Sequence, residues 1–143
     1  MKNKHKRIID KYTQPIFPPY DLYVLVDPTK EELKELFTWG DTEEIDDEEI
    51  VDGKGVTYSM LTKKDDPTEQ LCIVITLHTD YFDSSNKSDF INIISHEANH
   101  AVFRMLDYCH IKLTDDTTEV FAFVQGWITE CIYKTYKNRN KHE

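Results

Sequence analysis

Residues 96–100 read His96-Glu97-Ala98-Asn99-His100. On a helix, two histidines four residues apart project from one face about one turn apart, so both imidazoles can reach a single metal ion. Neutral imidazole is a zinc ligand, and the pair would fill two corners of a tetrahedron. Glu97 is rotated from His96 by about 100° around the helix, beside the metal rather than on it. There its carboxylate can act as general base, taking a proton from a metal-activated water and passing it to a leaving amine. The competing reading is the solvated face of an ordinary helix, with both histidines incidental.

A catalytic zinc takes three protein ligands and keeps one position open. Glu119 is the candidate third ligand. Residues 101–118 separate it from His100, and an antiparallel return of the next helix could carry its carboxylate to the metal. Asp116-Thr117-Thr118-Glu119 also reads as a capping pair, and a capping glutamate need not touch a metal. Asp115, Asp116, Glu130 and His110 are the fallback ligands. His78, Tyr81, Tyr108, His110 and Tyr133 are candidates for stabilising an oxyanion, each with packing or surface exposure as the simpler alternative.

The elements that must position these residues follow from periodicity and punctuation. Residues 1–19 open with a short helix that Pro15, Pro18 and Pro19 stop. Asp21–Asp27 reads as a strand ended by Pro28. Thr29-Lys30-Glu31-Glu32 is a capping box, and Leu33, Leu36 and Phe37 line one face of a helix that Gly40 ends. Residues 41–49 hold one apolar residue, Ile45, and read as a solvated acidic loop without the spacing of a calcium loop. Val56–Thr62 and Leu71–His78 form two strands around the turn at Asp65-Asp66-Pro67, an antiparallel hairpin. A polar loop over 79–87 leads to amphipathic helices at about 88–108 and 116–137. Trp39, Trp127, Phe82, Phe90, Phe121 and Phe123 read as packing aromatics, and Met60 and Met105 as core filler.

With this motif, Glu119 on the following helix and a small sheet before the motif helix, the chain resembles the gluzincin branch of the zincin metallopeptidases, in particular its minimal single-domain members. The resemblance spans roughly residues 55–135. The segment Phe121-Ala122-Phe123-Val124-Gln125-Gly126-Trp127 after the motif helix is similar to that of small zincin-like proteins of phages and mobile elements. The resemblance implies an α+β, zincin-like fold: a small mixed or antiparallel sheet packed on the motif helix and a following C-terminal helix. It also implies Zn²⁺ held by His96, His100 and Glu119, with Glu97 as base. An edge strand, Leu71–His78, would bind an extended peptide by strand addition. One position departs: many gluzincins carry an acid four residues after the glutamate ligand, and here that residue is Phe123.

Composition bounds the alternatives. A chain of 143 residues suits one domain, with 1–19 as an N-terminal extension and 41–50 as the acidic loop. The net charge of -10 is largely local, since seven acids fall within 41–49; the remaining 20 acids meet 17 bases. No basic face argues for nucleic acid, and no apolar run suits a membrane helix or a signal peptide, so the cytoplasm is the expected compartment. Cys72, Cys109 and Cys131 form no paired framework and read as thiols. The expected function is zinc-dependent hydrolysis of a peptide or protein substrate. The alternative is a catalytically silent binding or assembly module on the same scaffold.

Overall fold

Leu22, Tyr23, Val24, Leu25 and Val26 are all buried, as are Cys72 through Leu77. Strands that are apolar on both faces belong at the centre of a sheet covered on both sides. In the computed structural model, which describes residues 6–13, 20–83 and 85–141, these two segments form β2 (Asp21–Val26) and β5 (Leu71–Leu77), paired in parallel. The other strands are β1 (Ile8–Thr13), β3 (Phe37–Trp39) and β4 (Gly55–Lys63). The sheet order is β1-β2-β5-β4-β3, and all pairings except β2–β5 are antiparallel. The fold is thus α+β with a mixed sheet.

On one sheet face, Leu22, Val24, Ile73, Ile75 and Leu77 pack against α2 (Lys87–Tyr108) and α3 (Thr118–Lys137). On the other, Tyr23, Leu25, Cys72 and Val74 meet Leu33 of α1 (Lys30–Leu36), with Phe37, Ile45 and Ile50. Each fully buried Leu or Ile side chain contributes about 1.5–3 kcal/mol to this two-sided core. The capping box forms as expected: the Glu32 amide donates to Thr29 Oγ1 at 3.1 Å, and the Thr29 amide to Glu32 Oε1 at 3.2 Å. The β4–β5 hairpin and both long helices also stand within a residue or two of their expected bounds. Among the described residues, no helix is long and apolar enough to cross a membrane.

Four expectations are corrected. The described part of the expected N-terminal helix is strand β1; Ile8 and Tyr12 pack on one core and Ile9 on the other, a period of two that pairing with β2 rewards. Pro15, Pro18 and Pro19 lie outside the described residues. The helix begun at Thr29 ends at Leu36, because Phe37–Trp39 pairs with Lys63–Leu61 and buries Phe37 completely. The acidic loop is pinned rather than only solvated: Ile45 and Ile50 are buried in the second core, while Lys34 pairs with Asp47 at 2.8 Å and Lys64 with Glu44 at 2.9 Å. Finally, Met60 and Phe123 are exposed, not core. Met60 sits at a bulge where β4 slips one residue against β5, with φ 65°.

Candidate metal centre

Helix α2 starts where Asn86 accepts a hydrogen bond from the Asp89 amide at 3.2 Å, and it runs for 22 residues. His96, Glu97 and His100 therefore sit mid-helix, away from fraying ends. Its buried stripe is Phe90, Ile93, Ile94, Ala98, Ala101, Val102, Met105 and Leu106, and Glu97 belongs to it as the one acid. The two histidines flank that stripe and are exposed.

The imidazoles converge. Their Nε2 atoms lie 3.1 Å apart, with the rings edge to face at 78°. Two zinc–nitrogen bonds of about 2.0–2.1 Å at a tetrahedral angle place the nitrogens about 3.3 Å apart, so this pair fits two corners of a zinc site with almost no movement.

Glu97 is only 5% exposed. Buried carboxylates need partners, and Thr57 on β4 supplies one: its Oγ1 lies 2.8 Å from Glu97 Oε2 and 3.2 Å from the Glu97 carbonyl oxygen. The single hydroxyl proton goes to the nearer, charged acceptor or is shared between the two. The contact requires β4 to come very near the helix, and Gly55 permits it. A Cβ there would stand 2.8 Å from Glu97 Cγ and 3.2 Å from Ile93 Cγ2. The chain thus fixes the carboxylate between strand and helix, at the wall of two adjoining clefts. One of about 240 Å³ includes Lys54, Gly55, Asp89 and His96; the other, of about 350 Å³, includes Thr57, Ser59, His100 and Arg104.

The strand beside this site is open. β3 pairs with β4 only at Leu61–Lys63. The His78 amide donates to the Lys54 carbonyl, so alternate residues of the ladder, Val56 and Tyr58, bond inward to β5. The peptide groups of Gly55 and Thr57 face outward, without a strand against them among the described residues; at Ser59 the bulge begins, and the Met60 amide turns to Tyr108 Oη. This corrects the expectation that Leu71–His78 is the edge: β5 is the centre of the sheet, and the free edge near the motif is the first half of β4.

Glu119 is not gathered with the histidines. Among the described residues, no three His, Cys, Asp or Glu side chains stand close enough to hold a metal. The reason is helix register. Asn99 Nδ2 donates to Gln125 Oε1 at 3.3 Å, and the Phe103 and Phe121 rings meet with centroids 5.2 Å apart, tilted at 56°, so α3 runs antiparallel along the Asn99–Phe103 side of α2. Extrapolated, Glu119 falls beside residue 105, about 7.5 Å past His100 along the axis. It is not a capping residue either, because the cap position is Thr117 and no side chain caps it. Glu119 is exposed, and its carboxylate makes no hydrogen bond or ion pair with a described residue.

Three of the expected oxyanion donors are engaged with other groups, Tyr108 at the margin of the cleft that Ser59 and Arg104 line. Tyr108 Oη accepts the Met60 amide at 2.6 Å, His78 contacts Thr76 and Tyr81, and Tyr133 packs by Phe90. Sequence reasoning missed Gly55, Thr57 and Arg104. For Arg104 a signal existed, since it follows His100 by four residues and so shares its face; for Thr57 none did. Compared with protein-family models, curated proteins and solved structures, the chain matches none significantly.

Proposed function

We propose that this protein is a zinc-dependent peptidase whose substrate lies as an added strand along Gly55–Ser59. The observation that carries the reading is the convergence of the His96 and His100 Nε2 atoms, 3.1 Å apart, beside a carboxylate clamped to an open strand. His96 and His100 would hold the metal. Glu119, unpartnered on the first turn of α3, would be the third ligand and would have to cross the gap to reach it. A zinc ion in this position supplies Lewis acidity, polarising the substrate carbonyl and acidifying water. The chain's own part is positional. The outward peptide groups of Gly55 and Thr57 align an extended backbone. Thr57 holds the Glu97 carboxylate in one orientation, and Glu97 takes the proton of the attacking water and returns it to the leaving amine.

The test is zinc content and cleavage of an unbiased peptide library, using protein purified without a histidine tag. Glu97→Gln should keep one zinc per chain and lose about 10²–10⁴-fold in rate. His96→Ala and His100→Ala should lose the metal, and Glu119→Ala should bind it more weakly than the wild type. Wild-type protein that takes up no zinc, or a Glu97→Gln variant that still cleaves, refutes the reading. One observation favours the silent binding module instead: among the described residues, no third ligand is gathered beside the histidines. Zinc uptake without cleavage of any library member would select that module.

A further inference from the structure

Arg104 lies two helical turns beyond Glu97 and lines the same cleft as Glu97, Thr57, Ser59 and His100. Seven residues on an α-helix return to within about 20° of the same face, so Arg104 points to the side that carries Glu97. Long helical side chains lean towards the helix N-terminus, which carries the guanidinium back over the turn of His100. Arg104 is exposed, and its guanidinium makes no hydrogen bond or ion pair with a described residue. Asp52, across the cleft, and Asp107, one turn on, also border the space around it but form no ion pair with it. At the opposite end of the site the cation Lys54 is engaged, with Asp89 at 3.5 Å. In a chain with 27 acids against 17 bases, a guanidinium that pairs with no described carboxylate, though Asp52 and Glu97 line its cleft, is set apart.

We infer that Arg104 determines specificity by binding a substrate carboxylate about two residues from the bond that is cut. The inference rests on the peptide being paired along β4 as proposed above. Residues two apart on a strand are separated by about 6.6 Å. A peptide residue opposite Thr57 then stands by Glu97, and one opposite Ser59 stands on the Arg104 side. The planar guanidinium matches a carboxylate with two parallel hydrogen bonds, which a lysine cannot do. The carboxylate comes from an Asp or Glu side chain or from the peptide's own C-terminus.

The experiment reads binding rather than turnover. Zinc-loaded Glu97→Gln protein is titrated, by fluorescence anisotropy, with labelled alanine-based hexapeptides. A single Glu, Gln or Lys is moved through each position, and each peptide is made with an amidated and with a free C-terminus. Glu at one position should bind about fivefold to tenfold tighter than Gln; an advantage confined to the free-acid series would assign the carboxylate to the chain end. Adding Arg104→Ala should erase the preference, and Arg104→Glu should turn it towards Lys at the same position. Absence of a carboxylate preference, or its survival in both Arg104 variants, overturns the inference, as does failure of every peptide to bind. A wild-type protein that cleaves peptides without an Arg104-dependent preference refutes this inference alone. Charge-selective binding by a protein that never cleaves refutes only the peptidase.

Discussion

Gly55→Ala tests whether the strand–helix approach that clamps Glu97 is as tight as the structure makes it. The added Cβ would meet Glu97 Cγ at 2.8 Å, Cδ at 3.4 Å and Ile93 Cγ2 at 3.2 Å. Restoring ordinary contact requires a displacement of roughly 0.6 Å, and Glu97 cannot swing freely because it is buried and held by Thr57 at 2.8 Å. Overpacking of this kind costs about 1–3 kcal/mol. Replacing Gly by Ala returns about 0.5–1 kcal/mol through the unfolded chain. Taking the midpoints, the expected net loss is about 1.25 kcal/mol, or roughly 4 °C in Tm for a chain of this size. Urea unfolding followed by the fluorescence of Trp39 and Trp127 measures it. The same substitution in a Glu97→Ala background removes Cγ and Cδ and leaves only the Ile93 contact, so its cost should fall below about 0.5 kcal/mol. Equal penalties in the two backgrounds, or a neutral Gly55→Ala, would show that the clash, and with it the clamp, is not there. If the peptidase reading holds, the same 0.6 Å shift of the base should cost roughly 10–100-fold in rate with zinc content unchanged.

Other perturbations follow from buried titratable groups. Burial lowers the His78 pKa, outweighing the raising effects of Asp27 and Asp52. The folded state therefore prefers the neutral ring. The resulting stability is present above the unfolded value of about 6.5 and is lost as pH falls below it through the folded pKa. Relative to His78→Gln, the wild type should lose stability between pH 7 and pH 5; parallel curves in urea would refute the assignment. Burial pushes the Cys72 and Cys131 thiols up to about 12. At pH 8 a thiol reagent should modify only the half-buried Cys109 in the native protein and reach all three after unfolding. Rapid native labelling at Cys72 or Cys131, read by peptide mass mapping, would contradict their burial.

Much of this molecule was legible along the chain. The helix carrying His96 and His100 announced itself through steps of three and four, and the Thr29–Glu32 box through a purely local exchange of hydrogen bonds. Such features involve neighbours in sequence, so residue type and spacing suffice to specify them. The convergence of two imidazoles four residues apart is of the same kind, because helix geometry alone sets it.

Tertiary structure decided what depends on partners far along the chain. Ile8–Thr13 is a strand because β2 was available to pair with it, and Phe37 left its helix because β4 offered a ladder. Leu71–Leu77 became central when β2 docked in parallel across a crossover that no local pattern encodes, and this moved the open edge to Gly55–Ser59. Glu97 finds Thr57 forty residues away, and Gly55 matters only because Glu97 stands against it. The α2–α3 register, set by Asn99 with Gln125 and Phe103 with Phe121, separates Glu119 from the histidines. Spacing along a chain fixes distance only within one rigid element; between elements, packing of side chains chooses which residues meet.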